Sequence, residues 1–181
     1  YLMSIEKGNS IAMYNLGSLY KQNNNYEKAK EYYLLAIANQ NSAAMNNLAT
    51  IYWEIENNPE LAEKYYLNAV EKGSIVAMYN LGYFYKQNDN YEKAEKYYLM
   101  AFNSDYFGSL ESLVDIYLNK KDYQTAINFC IIAIKKSPKF RVDYVNILLK
   151  CSDLAKKKIF DAIQNENKIE DSSKETLIKE L

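Results

Sequence analysis

The sequence predicts an all-α solenoid built from stacked helix-turn-helix units. Three features carry that expectation. A block of 32 or 33 residues recurs along the chain, each half of the block places small and apolar residues at helical spacing, and residues that make tight turns are scarce. The recurrence is plainest where Ala12-Met13-Tyr14-Asn15-Leu16-Gly17 returns as Ala77-Met78-Tyr79-Asn80-Leu81-Gly82. Between them lies Ala44-Met45-Asn46-Asn47-Leu48-Ala49, and a fourth copy begins at Ser109 and carries Leu113. Leu16, Leu48, Leu81 and Leu113 follow one another at steps of 32, 33 and 32 residues. With 5 Gly and 2 Pro in 181 residues, a sandwich or barrel lacks the turns it needs.

The elements follow in chain order. Tyr1 to Gly8 aligns in register with Tyr33 to Gln40, so residues 1–8 are expected to be the second helix of a truncated preceding repeat, with an upstream segment out of view. Repeat one, 9–40, places Ala12, Leu16 and Tyr20 at four-residue steps, then Ala29, Tyr33 and Ala36 at i, i+4, i+7. The polar run Gln22-Asn23-Asn24-Asn25 between the halves favours a turn and a helix start. Repeat two spans 41–72, with Leu48, then Pro59 to Ala62, Tyr65-Tyr66 and Ala69. Repeat three, 73–104, matches repeat one through Tyr91-Glu92-Lys93-Ala94, Tyr97-Tyr98 and Ala101. Repeat four, 105–136, keeps Leu113 and Ala126 but carries Phe129-Cys130 where the others have two tyrosines. Residues 137–165 read as a degenerate capping helix pair. Residues 166–181 read as a linker and a C-terminal helix opened by the capping box Ser172-Ser173-Lys174-Glu175.

A lone helical hairpin leaves its apolar stripe in water, whereas stacked hairpins bury it against one another. Gly17 and Gly82 lie mid-helix, where glycine costs about 1 kcal/mol against alanine. A closely packed neighbouring helix justifies that cost, with Ala29, Ala62, Ala94 and Ala126 as the expected facing residues. Tyr20, Tyr52, Tyr85 and Tyr117 are expected to fill the wedge between the two helices of each unit.

Composition narrows the function. Lys plus Arg (22) nearly balances Asp plus Glu (23), so there is no broad charge to draw nucleic acid or an anionic membrane. Histidine is absent, which removes the commonest general base and metal ligand together. No metal site or cofactor is expected, and no enzyme activity. Cys130 and Cys151 lack metal-type spacing and read as free thiols of a reducing, cytoplasmic compartment, Cys130 as a packed one. No apolar run reaches the length of a membrane span. Lys156-Lys157-Lys158 and Lys135-Lys136 read as solvated helix faces.

The order Leu-Gly-x-x-Tyr followed by Ala-x-x-x-Tyr-x-x-Ala resembles the tetratricopeptide repeat, and Leu16 to Ala29 spans the 13 residues that family uses. The shorter Ala29-to-Leu48 step, the Asn-Leu-Gly signature, and Gly8 and Gly73 after the second helix are similar to Sel1-like repeats. The chain departs from those in lacking their longer glycine-rich loop. The resemblance covers residues 1–136 and implies a right-handed α–α superhelix that binds a protein or an extended peptide along a concave groove lined by the first helices.

On those helices the residue before each repeat leucine is Asn15, Asn47, Asn80 and Ser112. Two before it come Tyr14, Asn46, Tyr79 and Glu111, then Asp143 in the cap. Two after it come Ser18, Thr50, Tyr83 and Asp115. Five after it come Lys21, Trp53 and Lys86. A carboxamide both donates and accepts, so the Asn series has two readings: rungs that pair with a peptide backbone, or ties between repeats. Tyr14, Asn46, Tyr79, Tyr83 and Trp53 add candidate contacts, the aromatic ones of the type enriched at binding hot spots. Glu111 and Asp115 predict a preference for basic peptides. They also stand four apart on one helical face, which suits a solvated or partner-binding surface better than a catalytic carboxylate pair. The alternatives are a helical-repeat RNA binder and a solenoid that only self-assembles.

Overall fold

The computed structural model describes residues 9–136, and among these residues every regular element is an α-helix. The eight helices are α1 (Ser10–Gln22), α2 (Tyr26–Ala38), α3 (Ser42–Glu54), α4 (Pro59–Glu71), α5 (Ile75–Gln87), α6 (Tyr91–Asn103), α7 (Ser109–Asn119) and α8 (Tyr123–Lys136). They form two compact units, one reaching Tyr106 and one beginning at Phe107. The first holds three stacked hairpins, α1–α2, α3–α4 and α5–α6, and the second holds the α7–α8 hairpin. The segments expected at 1–8, 137–165 and 166–181, with Cys151, Asp143, Lys156-Lys157-Lys158 and the capping box, lie outside the described residues.

The asparagine-rich composition is largely a capping device. The Asn9 side chain accepts from the backbone amides of Ile11 and Ala12 at the start of α1. Asn25, Asn41, Asn58 and Asn90 do the same for Lys28, Ala44, Leu61 and Lys93, and Ser74 caps Ala77. Each such oxygen satisfies a donor that the helix leaves open. At the other ends, one residue of each link adopts the left-handed conformation: Asn24, Gln40, Asn57, Gly73, Asp89, Asp105 and Lys121. The chain then reverses through a wide backbone bond, as where the Asn25 and Asn90 amides donate to the Tyr20 and Tyr85 carbonyls at 2.9 Å. The links stay short because each reuses this closure.

Within each hairpin a ring on the first helix stacks on a ring of the second. Tyr20 lies 5.4 Å from Tyr32, Tyr52 5.5 Å from Tyr65, Tyr85 5.5 Å from Tyr97, and Tyr117 5.5 Å from Phe129, all within 22° of parallel. The expected wedge residues therefore act through paired rings, each pair worth about 0.5–1.5 kcal/mol beyond area burial.

The glycines answer to a different neighbour than expected. A Cβ on Gly17 would stand 2.7 Å from Cδ1 of Tyr33 and 3.3 Å from the Ala29 carbonyl; one on Gly82 would stand 2.8 Å from Cδ1 of Tyr98. The ring of the second helix stands closer to the missing side chain than the facing alanine does. In repeat two, Ala49 and the fully buried Tyr66 hold these positions. In repeat four they are held by Val114 and Cys130, both wholly buried. Repeat two thus fits a methyl beside its tyrosine, and in repeat four a larger residue on the first helix is matched by a smaller one on the second, which conserves volume in a close-packed core.

Candidate functional site

The candidate face is built from α1, α3 and α5 in the first unit and, separately, from α7 in the second. The positions beside each leucine divide sharply once side chains are placed. Ser18 and Thr50, read from the sequence as surface positions, turn toward the core tyrosines: the Tyr33 hydroxyl donates to Ser18 Oγ at 3.2 Å, and Thr50 Oγ1 lies 3.0 Å from the Tyr66 hydroxyl. Both also bond back to the carbonyl one helical turn earlier, those of Tyr14 and Asn46. Helical spacing alone misplaces them because a short hydroxyl can reach a buried partner from the helix flank.

The asparagines form a chain that crosses repeats. Asn47 Nδ2 donates to the hydroxyl of Tyr33 at 3.2 Å and lies 3.5 Å from that of Tyr14. Asn46 Nδ2 donates to Asn47 Oδ1 at 3.3 Å, and Asn80 Nδ2 donates to Asn46 Oδ1 at 2.9 Å. One polar path thus runs from Ser18 through Tyr33, Asn47 and Asn46 to Asn80, joining three hairpins. Asn46 is only 6% exposed with both ends of its amide engaged, so it is a buried link and not a surface contact. Asn15, half-buried, makes no side-chain hydrogen bond among the described residues.

The aromatic candidates also separate. Tyr14 is half-buried and tilts against Tyr33 at 6.1 Å, and Tyr79 packs against Tyr98 and Tyr106 at 5.6 and 5.1 Å. Tyr83 is 41% exposed. Trp53 of the preceding repeat meets its ring edge-on at 5.6 Å and meets Phe84 at 5.4 Å. These two rings make one aromatic surface across α3 and α5. In the second unit Glu111 is exposed and Asp115 half-buried. Among the described residues no cluster of acidic or cysteine side chains is arranged to hold a metal ion, and no helix is long and apolar enough to cross a membrane.

Burial sets the protonation of the core rings. It pushes the Tyr66 hydroxyl up to about 12, with the Thr50 bond pulling the other way. It raises Tyr33 as well, against the bonds from Ser18 and Asn47. Tyr85 is raised by burial and by its hydrogen bond to the Glu63 carboxylate. All these shifts favour neutral hydrogen-bonding phenols, which suits a structural role. Cys130 is a fully buried thiol.

The tetratricopeptide repeat family model matches residues 11–41 and 75–105, the two copies most alike in sequence. Several solved structures share the fold. A protective antigen of uropathogenic Escherichia coli strains displaying an SLR fold is 24% identical, with a TM-score of 0.68, over 98% of this chain and 43% of that one. A Sel1 repeat protein from Oxalobacter formigenes is 19% identical, with a TM-score of 0.64, over 96% and 87%. Pseudomonas aeruginosa pilF is 19% identical, with a TM-score of 0.63, over 96% and 88%. The chain therefore spans less than half the length of the Escherichia coli antigen. No curated protein sequence matches it.

Proposed function

We propose that this array of tetratricopeptide/Sel1-like helical repeats is a protein-interaction scaffold whose first-helix face receives an extended segment of a partner protein. The Trp53–Tyr83 surface carries the reading. Tyr83 is exposed and Trp53 half-buried, and the two rings from successive repeats meet edge to face on the first helices. Rigid rings with little conformational entropy to lose are the usual anchors of protein contacts. The backbone of an extended ligand would use the amide of Asn15, while Asn47 and Asn80 hold the neighbouring hairpins in register beneath it. Basic residues in the partner would be favoured through Glu111 and Asp115 on α7.

A photocrosslinking amino acid at position 83 tests this. Tyr91, also 41% exposed but on a second helix, is the matched control. The reading expects defined protein adducts from position 83 and none from 91. Equal labelling from both positions would remove the first-helix face from consideration. Adducts to RNA whose yield falls steeply with salt would favour the nucleic-acid alternative.

A further inference from the structure

The first-helix face of the first unit is short of charge. Lys21, Glu54 and Lys86 are the only charged residues on α1, α3 and α5, whereas α2, α4 and α6 carry four each. All three lie in the last turn of their helices. The usual order is the reverse, with a helix turning its charged residues outward to water. Here apolar residues face outward instead. Five before each repeat leucine come Ile11, Ala43 and Val76. Ile11 is 64% exposed, Val76 is 49% exposed, and Ala43 is exposed as well. Two helical turns separate Val76 from the exposed Tyr83, so both lie on one side of α5. On all three helices that side carries aliphatic, amide, hydroxyl or aromatic groups until the last turn.

That chemistry selects the occupant. An extended segment crossing α1, α3 and α5 passes helices about 10 Å apart and needs about six residues to do so. A lysine or glutamate of the segment laid over Ile11, Ala43 or Val76 would lose water without gaining a partner. An aliphatic side chain there would remove apolar surface from water on both molecules. The backbone of the segment still finds the amide of Asn15. Glu111 and Asp115 stand on α7 of the second unit and leave this charge balance unaltered.

We infer, resting on the scaffold reading, that the partner segment crossing α1, α3 and α5 is uncharged and aliphatic, and that its binding is nearly independent of salt. The test pans three peptide display libraries against the 181-residue chain. All contain Gly, Ser and Asn. One adds Val, Leu, Ile and Pro, the second Lys and Arg, the third Asp and Glu. Enrichment is expected from the aliphatic library, with an affinity by fluorescence anisotropy that changes less than about 2-fold between about 50 and about 500 mM salt. Ile11→Glu and Val76→Glu should each weaken the selected peptides by about 5-fold or more, as a charge placed in an apolar contact does. Both put a carboxylate in the first turn of a helix, where it is favoured, so the fold is kept. Leu34→Glu, at a site 43% exposed but on α2, should leave affinity unchanged. Selection of charged peptides whose binding is lost in Tyr83→Ala would overturn the inference and leave the scaffold reading standing. So would an affinity that falls about 10-fold over that salt range, or one unchanged in both glutamate variants. No enrichment from any library would overturn both.

Discussion

Asn47 of the second repeat donates its amide to the Tyr33 hydroxyl of the first across 3.2 Å, at the centre of a hydrogen-bonded path that joins three hairpins. Both residues belong to the repeated pattern, so a contact that looks like a ligand rung in the sequence is also a weld between units.

Removing that weld should show as stability. Asn47→Ala is expected to cost about 1–2 kcal/mol in urea unfolding, because the buried Tyr33 hydroxyl keeps only its bond to Ser18 and the Asn46 N–H loses its acceptor. Asn15→Ala should change stability little. A double-mutant cycle with Tyr33→Phe should show clear coupling, whereas additive costs would mean that the bond contributes nothing.

The size-matched pairs make a sharper prediction. Gly82→Val should destabilise by about 1–3 kcal/mol through overpacking on Tyr98, and Tyr98→Cys by roughly 3 kcal/mol or more through the lost ring. Together they recreate the Val114 and Cys130 pair of repeat four, and the double variant should cost less than the two singles combined. Chemical denaturation of the four proteins measures this directly.

The fold was legible because a period leaves the same trace several times over: four leucines, four stacked ring pairs and a run of asparagine caps all follow from the 32- or 33-residue step. The surface was less legible. Helical spacing assigns a direction to each residue but not the reach of its side chain, so Ser18, Thr50 and Asn46 looked available and are engaged.

Alkaline titration offers an independent check. A tyrosine held neutral in the fold loses its proton later than in the unfolded chain, so its contribution is complete below about pH 10 and fades as pH rises through the folded value. Tyr33, Tyr52, Tyr66 and Tyr85 are all raised by burial. Tyrosinate absorbance from these four rings should therefore rise late, with Tyr66 near about 12. Stability should fall steadily above about pH 10. A single stage at the ordinary value would contradict the buried placement of these rings.

Peptide selection on the intact chain tests the scaffold reading most directly. A library of unstructured peptides would be panned against the wild type and a Trp53→Ala/Tyr83→Ala variant with an unchanged helical spectrum. The account predicts that the wild type enriches a defined set of extended sequences and that the variant loses at least about tenfold in affinity for them, as expected when two aromatic anchors are removed. Enrichment that survives in the variant, or no enrichment by the wild type, would contradict it.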